Sequence, residues 1–385
     1  MWKEAKGVVI PKPNKSDYGV ATAYRVITLL NCLGNVVEKV AAMAIAEECE
    51  RRMLLYDGQF GCRKRRSALH AFGRLMKRVE EAWGRGNTAA VLLMDVKGSF
   101  PHVAKRNLIK RMEDMGFEAN LLRWLESFME DRKVIMSMDR KEGDNMDVAT
   151  GVPQGSPVSP VLFVIYLSGL FGKVEDKEEE CGSEVISFVD DVACVVEGED
   201  MGECTQRLER CAAETLNWAK KNAWQFDIKK TEAMLFARRR KNTEPKMNVR
   251  VMVGNHEVPY NKEATRWLGG WLDDMLTLND HTRKTLAKAR KAQNRVRSLM
   301  VKKGLSSEGC KRIPVAAVQA VALYGSELWW HGQENRVQEV QKLLNVQGRR
   351  VTGCFRTTPH GALMDDAALR PAKALLNNRV QRSQL

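Results

Sequence analysis

Val185-Ile186-Ser187-Phe188-Val189-Asp190-Asp191-Val192-Ala193-Cys194-Val195-Val196 is the most informative segment of the chain. Two apolar, β-prone runs flank a pair of adjacent aspartates. The pattern reads as a β-hairpin with both carboxylates at its tip. Ordinary hairpin tips favour Asn-Gly or Asp-Gly, because glycine tolerates positive φ. Two neighbouring carboxylates repel each other unless a cation lies between them. A solvated acidic turn is the plainer alternative.

Upstream, Ala89-Ala90-Val91-Leu92-Leu93-Met94 is a continuous apolar run that ends at Asp95. Such a run suits a strand buried on both faces. A helix cap is the alternative role for Asp95, but Ser99 and Pro101 already supply a start signal for the helix that follows. A carboxylate at the end of a buried strand needs a partner, and a divalent metal shared with Asp190 would be one. Between the two acidic sites lies Gly151-Val152-Pro153-Gln154-Gly155-Ser156-Pro157. Its glycines allow close backbone approach to a ligand and its prolines stiffen the loop. The apolar run from Val161 to Leu167 then reads as a helix.

In this order and spacing the three motifs resemble those of the reverse transcriptases of non-LTR (LINE-type) retrotransposons. The matching residues are Asp95 with Phe100 five positions on, Gly151 to Ser156, and Phe188 to Asp191. Pro11-Lys12-Pro13, Tyr24-Arg25-Val26-Ile27 and Gly58-Gln59-Phe60-Gly61-Cys62-Arg63 resemble the family's fingers motifs, the last of them near the template. Phe226-Asp227-Ile228-Lys229-Lys230-Thr231-Glu232 resembles the lysine-bearing motif after the catalytic hairpin, and Arg266-Trp267-Leu268-Gly269 the hairpin that grips the primer. The likeness is most specific over residues 7 to 273, and the Gly-Cys-Phe-Arg stretch at Gly353 resembles the fungal branch. Ser99 and Pro101 depart from the family's usual residues around the first aspartate.

The resemblance implies an α+β fold, a right-hand polymerase with fingers, an antiparallel-sheet palm and a helical thumb. It implies RNA-directed DNA synthesis on an RNA template and a DNA primer, with dNTPs as substrates. Two Mg²⁺ ions, with Mn²⁺ as a substitute, would be held by Asp95 and Asp190, with Asp191 in close support. Lys12 and Arg25 would hold the triphosphate. Gln154 and Gly155 would position template and nucleotide, and Phe100 would exclude a ribose 2′-hydroxyl. Lys230 would protonate or bind the pyrophosphate, with Lys229 as the alternative. Trp267, Leu268 and Gly269 would support the primer end. The family's longer polypeptides carry an endonuclease and often an RNase H domain; neither fits here, so the chain reads as a polymerase module. A remnant that binds nucleic acid without turnover is the rival expectation.

Composition agrees with a polyanionic partner: 62 Lys and Arg against 48 Asp and Glu leave a net charge of +14 over 385 residues. The nine cysteines are scattered without a CxxC pair, which points to reduced thiols in a nuclear or cytoplasmic protein rather than a secreted scaffold. No signal peptide is expected, and the apolar stretch Val158 to Phe171 is too short and interrupted to span a bilayer. Oligomeric state leaves no trace in the sequence.

Two domains are expected, residues 1–240 for fingers and palm and 241–385 for the primer-grip hairpin and helical thumb. The polar run Arg238 to Pro245 marks the boundary. Val36, Val40, Met43 and Ala44 lie at helical spacing and read as core. A helix over 102–116 turns Val103, Ile109 and Met112 inward and stops at Gly116. Leu121, Leu122, Leu125, Phe128 and Met129 mark another helix. A further helical face, Leu208, Cys211, Ala212, Thr215, Leu216 and Ala219, precedes Trp224. Glu175 to Glu180 reads as a charged surface loop. Arg63, Lys64, Arg65 and Arg66 form a basic cluster, a solvated loop or a phosphate contact. Lys284, Lys288, Arg290, Lys291, Arg295 and Arg297 make a cationic helix that would lie along a duplex backbone in a thumb.

Overall fold

The computed structural model describes residues 3–13, 15–98, 100–139, 141–175, 183–238, 249–296 and 306–383. The chain divides into two compact units, Met1–Lys262 and Glu263–Leu385. Ser99, Arg297, most of the charged loop at Glu175 to Glu180 and most of the polar run at the expected boundary lie outside the described residues.

In chain order the first unit runs β1 (Glu4–Pro11), β2 (Tyr24–Leu29), α1 (Cys32–Arg51), α2 (Ala68–Gly84), β3 (Thr88–Met94), α3 (Lys105–Asp114), α4 (Ala119–Met129), β4 (Lys133–Met138), β5 (Lys141–Asp147), α5 (Ser159–Glu175), β6 (Ser183–Phe188), β7 (Asp191–Gly198), α6 (Met201–Lys221), β8 (Glu232–Phe236), β9 (Arg250–Val253) and β10 (His256–Pro259). Strands β6-β7-β3-β8 form one sheet, antiparallel throughout. Every residue of β3 is buried, as its unbroken apolar run requires. Successive strand residues face opposite ways. Ala90, Leu92 and Met94 therefore join the main core. Ala89, Val91 and Leu93 face α2, whose Ala71, Phe72, Leu75 and Val79 are buried in turn.

The apolar helix α5 lies within the main core, with Leu162, Phe163, Ile165 and Leu167 fully buried. The expected face of α6 is also inside, through Leu208, Cys211, Ala212, Thr215 and Ala219. A second sheet, β2-β1-β4-β5, carries the amino-terminal motifs; β1 pairs antiparallel with β2 and parallel with β4.

Two expectations need correction. Val36, Val40 and Met43 are 60%, 63% and 58% exposed rather than core. Helix α1 instead turns Gly34, Glu38, Ile45 and Cys49 inward. On this face Ile45 and Cys49 join the main core, and Glu38 bonds Arg132 and Ser156. The helix after Asp95 also starts late. Phe100–His102 is a short 3₁₀ turn, and α3 begins after Ala104, which offers no side-chain cap. Pro101 serves that turn, not the helix start. Val103 and Met112 are buried as expected, and Gly116 takes φ +71° at the stop.

In the second unit β11 (Thr265–Trp267) and β12 (Gly270–Leu272) form a hairpin, followed by α7 (Asn279–Arg295) and further helices including Glu334–Thr352. Among the described residues no helix is long and apolar enough to cross a membrane.

Candidate active site

The acidic hairpin forms, with its tip shifted by one residue from the expected position. Phe188 pairs with Asp191, so the two-residue turn is Val189–Asp190, and Asp191 opens β7. Val189 takes φ +60°, a left-handed conformation that a β-branched residue rarely adopts. Such strain persists only where the surroundings over-determine it. The strap Gly58–Gly61 supplies that constraint. Ser187 N donates to Gly58 O at 2.8 Å, and Phe60 N donates to Ser187 O at 2.8 Å. A Cβ on Gly61 would lie 2.3 Å from Val189 N, so only glycine lets the strap approach the turn this closely. Gln59, fully buried, donates from Nε2 to Val164 O at 2.9 Å.

Sheet register brings the acidic segments together. Met94 pairs with Val192, and one further step sets Asp95 opposite Asp191. On the other flank Val96 bridges Phe226, and Asp227 N donates to Asp95 O at 2.8 Å. The 3₁₀ turn Ile228–Lys230 then folds Lys230 back on the site. Its Nζ lies 2.7 Å from Asp95 Oδ2 and 2.9 Å from Asp227 Oδ2. Asp227 was not among the expected site residues; its spacing of three before Lys230 is the signal that would have found it.

Burial, then the charges of Asp190 and Asp95, push the Asp191 carboxyl up to about 6. Burial lowers the Lys230 ammonium, but its bonds to Asp95 and Asp227 outweigh this and leave it raised. Burial, then Lys15, Arg25 and Lys230, lower Lys12, while Asp95 opposes them. Lys12 is thus close enough to Asp95, Arg25 and Lys230 to feel their charges, a concentration of positive charge suited to a polyphosphate.

The raised carboxyl has a consequence for stability. Asp191 binds its proton more tightly folded than unfolded, so stability falls as pH rises from about 3.8 to about 6 and stays lowered above that. The interval corresponds to at most about 3 kcal/mol, reduced by solvent screening at a half-buried site. Asp191→Asn should raise the melting temperature of the metal-free protein near pH 8 and leave it unchanged near pH 3.5. A difference constant across pH would remove this cause.

Among the described residues no group of three or more His, Cys, Asp or Glu is arranged to hold a metal ion by itself. The donor chemistry nonetheless fits Mg²⁺. Hard carboxylate oxygens with mutual repulsion suit an ion that usually takes one or two carboxylates and completes its shell with substrate phosphates and water.

The Gly151–Ser156 loop is fastened from several sides. Val152 N donates to Phe100 O at 2.9 Å, and Gly151 N to Val103 O at 3.2 Å. Thr28 N of β2 donates to Gln154 O at 2.8 Å. Gly155 takes φ +138°, and a Cβ there would lie 2.2 Å from Thr28 O. Gln154 and Gly155 remain exposed while Ser156 is buried. Phe100 is half-buried, its ring tilted against Phe163 with centroids 5.2 Å apart. Phe100 thus packs in part against the main core.

The basic cluster is partly structural, which corrects the expectation for two of its members. The Arg63 side chain is 5% exposed and binds Glu50 with Nε at 2.7 Å and Nη2 at 2.9 Å, and Tyr56 O with Nη1 at 2.6 Å. Arg66 pairs with Asp57 at 2.9 Å. Lys64 and Arg65 are the exposed members. In the second unit Leu268 (φ +45°) and Gly269 (φ +79°) make the turn between β11 and β12, and Trp267 is buried. Positive φ at both central residues marks the mirror-image turn suited to hairpins. On α7, Lys284 Nζ sits 3.2 Å from the Trp271 ring centroid, and Arg290 pairs with Glu339. Lys288, Lys291 and Arg295 are exposed.

Comparisons with known proteins agree with this geometry. The family model described as reverse transcriptase (RNA-dependent DNA polymerase) matches residues 10–272. The chain is 24% identical over 355 residues to a probable RNA-directed DNA polymerase from transposon BS of Drosophila melanogaster, covering 92% of this chain and 38% of that protein. It is 23% identical to the RNA-directed DNA polymerase from mobile element jockey of the same organism, over 91% of this chain and 38% of that one. The chain thus spans less than two-fifths of the length of these relatives, and they lend the fungal placement no support. Among solved structures, an apo telomerase from Candida tropicalis superposes with a TM-score of 0.55 at 10% identity, over 98% of this chain and 63% of that one. The RNA-dependent RNA polymerase of a human picobirnavirus gives 0.50 at 12% identity, over 97% of this chain and 64% of that one. Both likenesses concern the fold, which is α+β and of the right-hand polymerase class. With an antiparallel sheet that juxtaposes Asp95 and the Asp190-Asp191 hairpin, and a family match over most of its length, the chain belongs to the reverse transcriptase (RNA-dependent DNA polymerase) family.

Proposed function

We propose that this chain is the RNA-directed DNA polymerase module of a non-LTR retrotransposon, adding dNTPs to a primer 3′-hydroxyl on an RNA template. The observation that carries the reading is the meeting of Asp95 with the Asp190-Asp191 hairpin beside Lys230, with Lys12 near enough to feel the charges of Asp95 and Arg25. Asp95, Asp190 and Asp191 would hold two Mg²⁺ ions. When bound, these supply charge neutralisation at the reacting phosphate and a lowered pKa at the attacking hydroxyl. Lys12 and Arg25 bind the triphosphate. Lys230, held between Asp95 and Asp227, would act on the leaving pyrophosphate as proton donor or counter-charge. Gln154 and Gly155 present the exposed edge of their loop to nucleotide and template. Trp267, Leu268 and Gly269 shape the primer-grip hairpin.

Phe100 excludes the ribose 2′-hydroxyl. Phe100→Ala should raise the rNTP-to-dNTP incorporation ratio about tenfold or more, the discrimination one steric contact of this kind supplies. An unchanged ratio in a folded variant returns Phe100 to a packing role.

The exposed cations of α7 supply duplex affinity. Neutralising Lys288, Lys291 and Arg295 should each lower the slope of log K against log salt by about 0.9 if each meets one phosphate. Arg290→Gln should change it less, because Glu339 already neutralises that charge. A constant slope across the series makes this face merely solvated.

Primer extension with an RNA template, dNTPs and Mg²⁺ tests the whole reading. Template-dependent extension is expected. Duplex binding without extension by the folded protein would favour a binding remnant.

A further inference from the structure

Glu38 is a carboxylate that the polymerase motifs do not include. It lies in the amino-terminal half of α1 and is 5% exposed. Both of its oxygens are used. Oε1 accepts from Arg132 Nη2 at 3.3 Å, and Oε2 accepts from the Ser156 hydroxyl. Ser156, 4% exposed, also accepts from Val158 N at 3.2 Å, so its hydroxyl is fixed from both sides. Arg132 is held in turn. Its guanidinium lies 3.9 Å from the Phe128 ring centroid, and Nε donates to Phe128 O. A buried charge pair is costly to form from hydrated ions, and replacing such a pair with apolar packing is often stabilising. Ile45 and Cys49, fully buried on the same face, account for the packing of α1, but stability alone does not explain why a charged residue, Glu38, is kept beside them.

Position supplies the explanation. Ser156 ends the stretch whose preceding residues, Gln154 and Gly155, are exposed at the site. Thr28 holds the other side of Gln154 through the backbone. The loop is thus stretched between β2 and α1, with the exposed Gln154 and Gly155 between its two attachments.

We propose that Glu38 is a positioning residue for the incoming nucleotide: braced by Arg132, it clamps Ser156 and so holds Gln154 and Gly155 at the reacting edge. The proposal rests on the reading of this loop as the nucleotide contact. Glu38 touches no substrate and acts through Ser156. Its chemistry is that of a fixed charged acceptor, which positions a hydroxyl more firmly than a neutral one does.

The test compares Ser156→Ala, Ser156→Thr, Glu38→Gln and the double variant Glu38→Gln with Ser156→Ala. Ser156→Ala leaves the Glu38–Arg132 pair intact and should keep the fold. In primer extension it should raise KM for dNTP about tenfold with kcat changed by less than about twofold, since the lost interaction acts on nucleotide placement. Ser156→Thr should restore KM, and the double variant should be no worse than Ser156→Ala. A merely structural role would instead lower the melting temperature, leave KM in place and give additive effects; that pattern overturns the proposal. Amide exchange provides a readout independent of turnover. The Ser156 amide, which donates to Pro153 O, and the Thr28 amide, which donates to Gln154 O, should exchange about tenfold faster in Ser156→Ala and Glu38→Gln, while Val192 to Val196 in β7 stay protected. If the wild-type chain extends no primer, the polymerase reading fails and exchange alone decides the clamp. Unchanged exchange in both variants overturns it in either case.

Discussion

Asp190→Asn should yield a folded protein that binds primer–template duplex as wild type does and adds nucleotides at least about 10³-fold more slowly, a loss of about 4 kcal/mol in barrier lowering. Asp190 stands in the turn of the hairpin, where its charge is felt by Asp191 and by Cys62. An amide there keeps the shape and removes a negative donor for a hard cation. Because the substitution lies in a turn and buries no new group, folding should be spared. Single-turnover extension, duplex affinity and thermal melting on one preparation check all three parts. Extension within about tenfold of wild type would exclude Asp190 as a principal metal ligand.

Gly58→Ala should cost about 3–5 kcal/mol of stability, or prevent folding, although the added group is a single methyl. A Cβ at Gly58 would lie 2.0 Å from Val185 O and 3.1 Å from the Phe171 ring. The first contact is to strand backbone and the second to a fully buried side chain, so neither can retreat cheaply. The strap would be pushed off β6, and the constraint on Val189 would go with it. Gly84→Ala is the control, since nothing lies within 4 Å of a Cβ there. Equal denaturation midpoints for the two variants would show that the strap does not hold the hairpin.

What the sequence revealed follows from how strongly burial patterns its residues. Strand β3 was legible because both faces are covered and every residue is apolar. The hairpin was legible in kind but not in its tip, because a β-branched residue at positive φ is a tertiary effect that no local rule anticipates. Strand β5, KEGDNMD, was not legible, since every residue is exposed and neither alternation nor β-branching marks it. It forms because it pairs with the edge of β4. The inward face of α1 was misread for a related reason. Apolar spacing pointed to Val36 and Val40, while Ile45 and Cys49 pack in the main core and the partners of Glu38 lie 94 and 118 residues away in sequence. Arg63 reads as a surface charge in its basic run, and only the fold shows it enclosed by Glu50 and the carbonyls of Tyr56 and Gln59.

If these carboxylates perform template-directed DNA synthesis, the nucleotide added must follow the template base. Single-nucleotide incorporation on four RNA templates that differ only at the first unpaired base tests it most directly. The folded chain, with Mg²⁺, should add only the complementary dNMP on each template, and chelation of the metal should stop addition. Duplex binding with no incorporation on any template, or incorporation that ignores the template base, would contradict it.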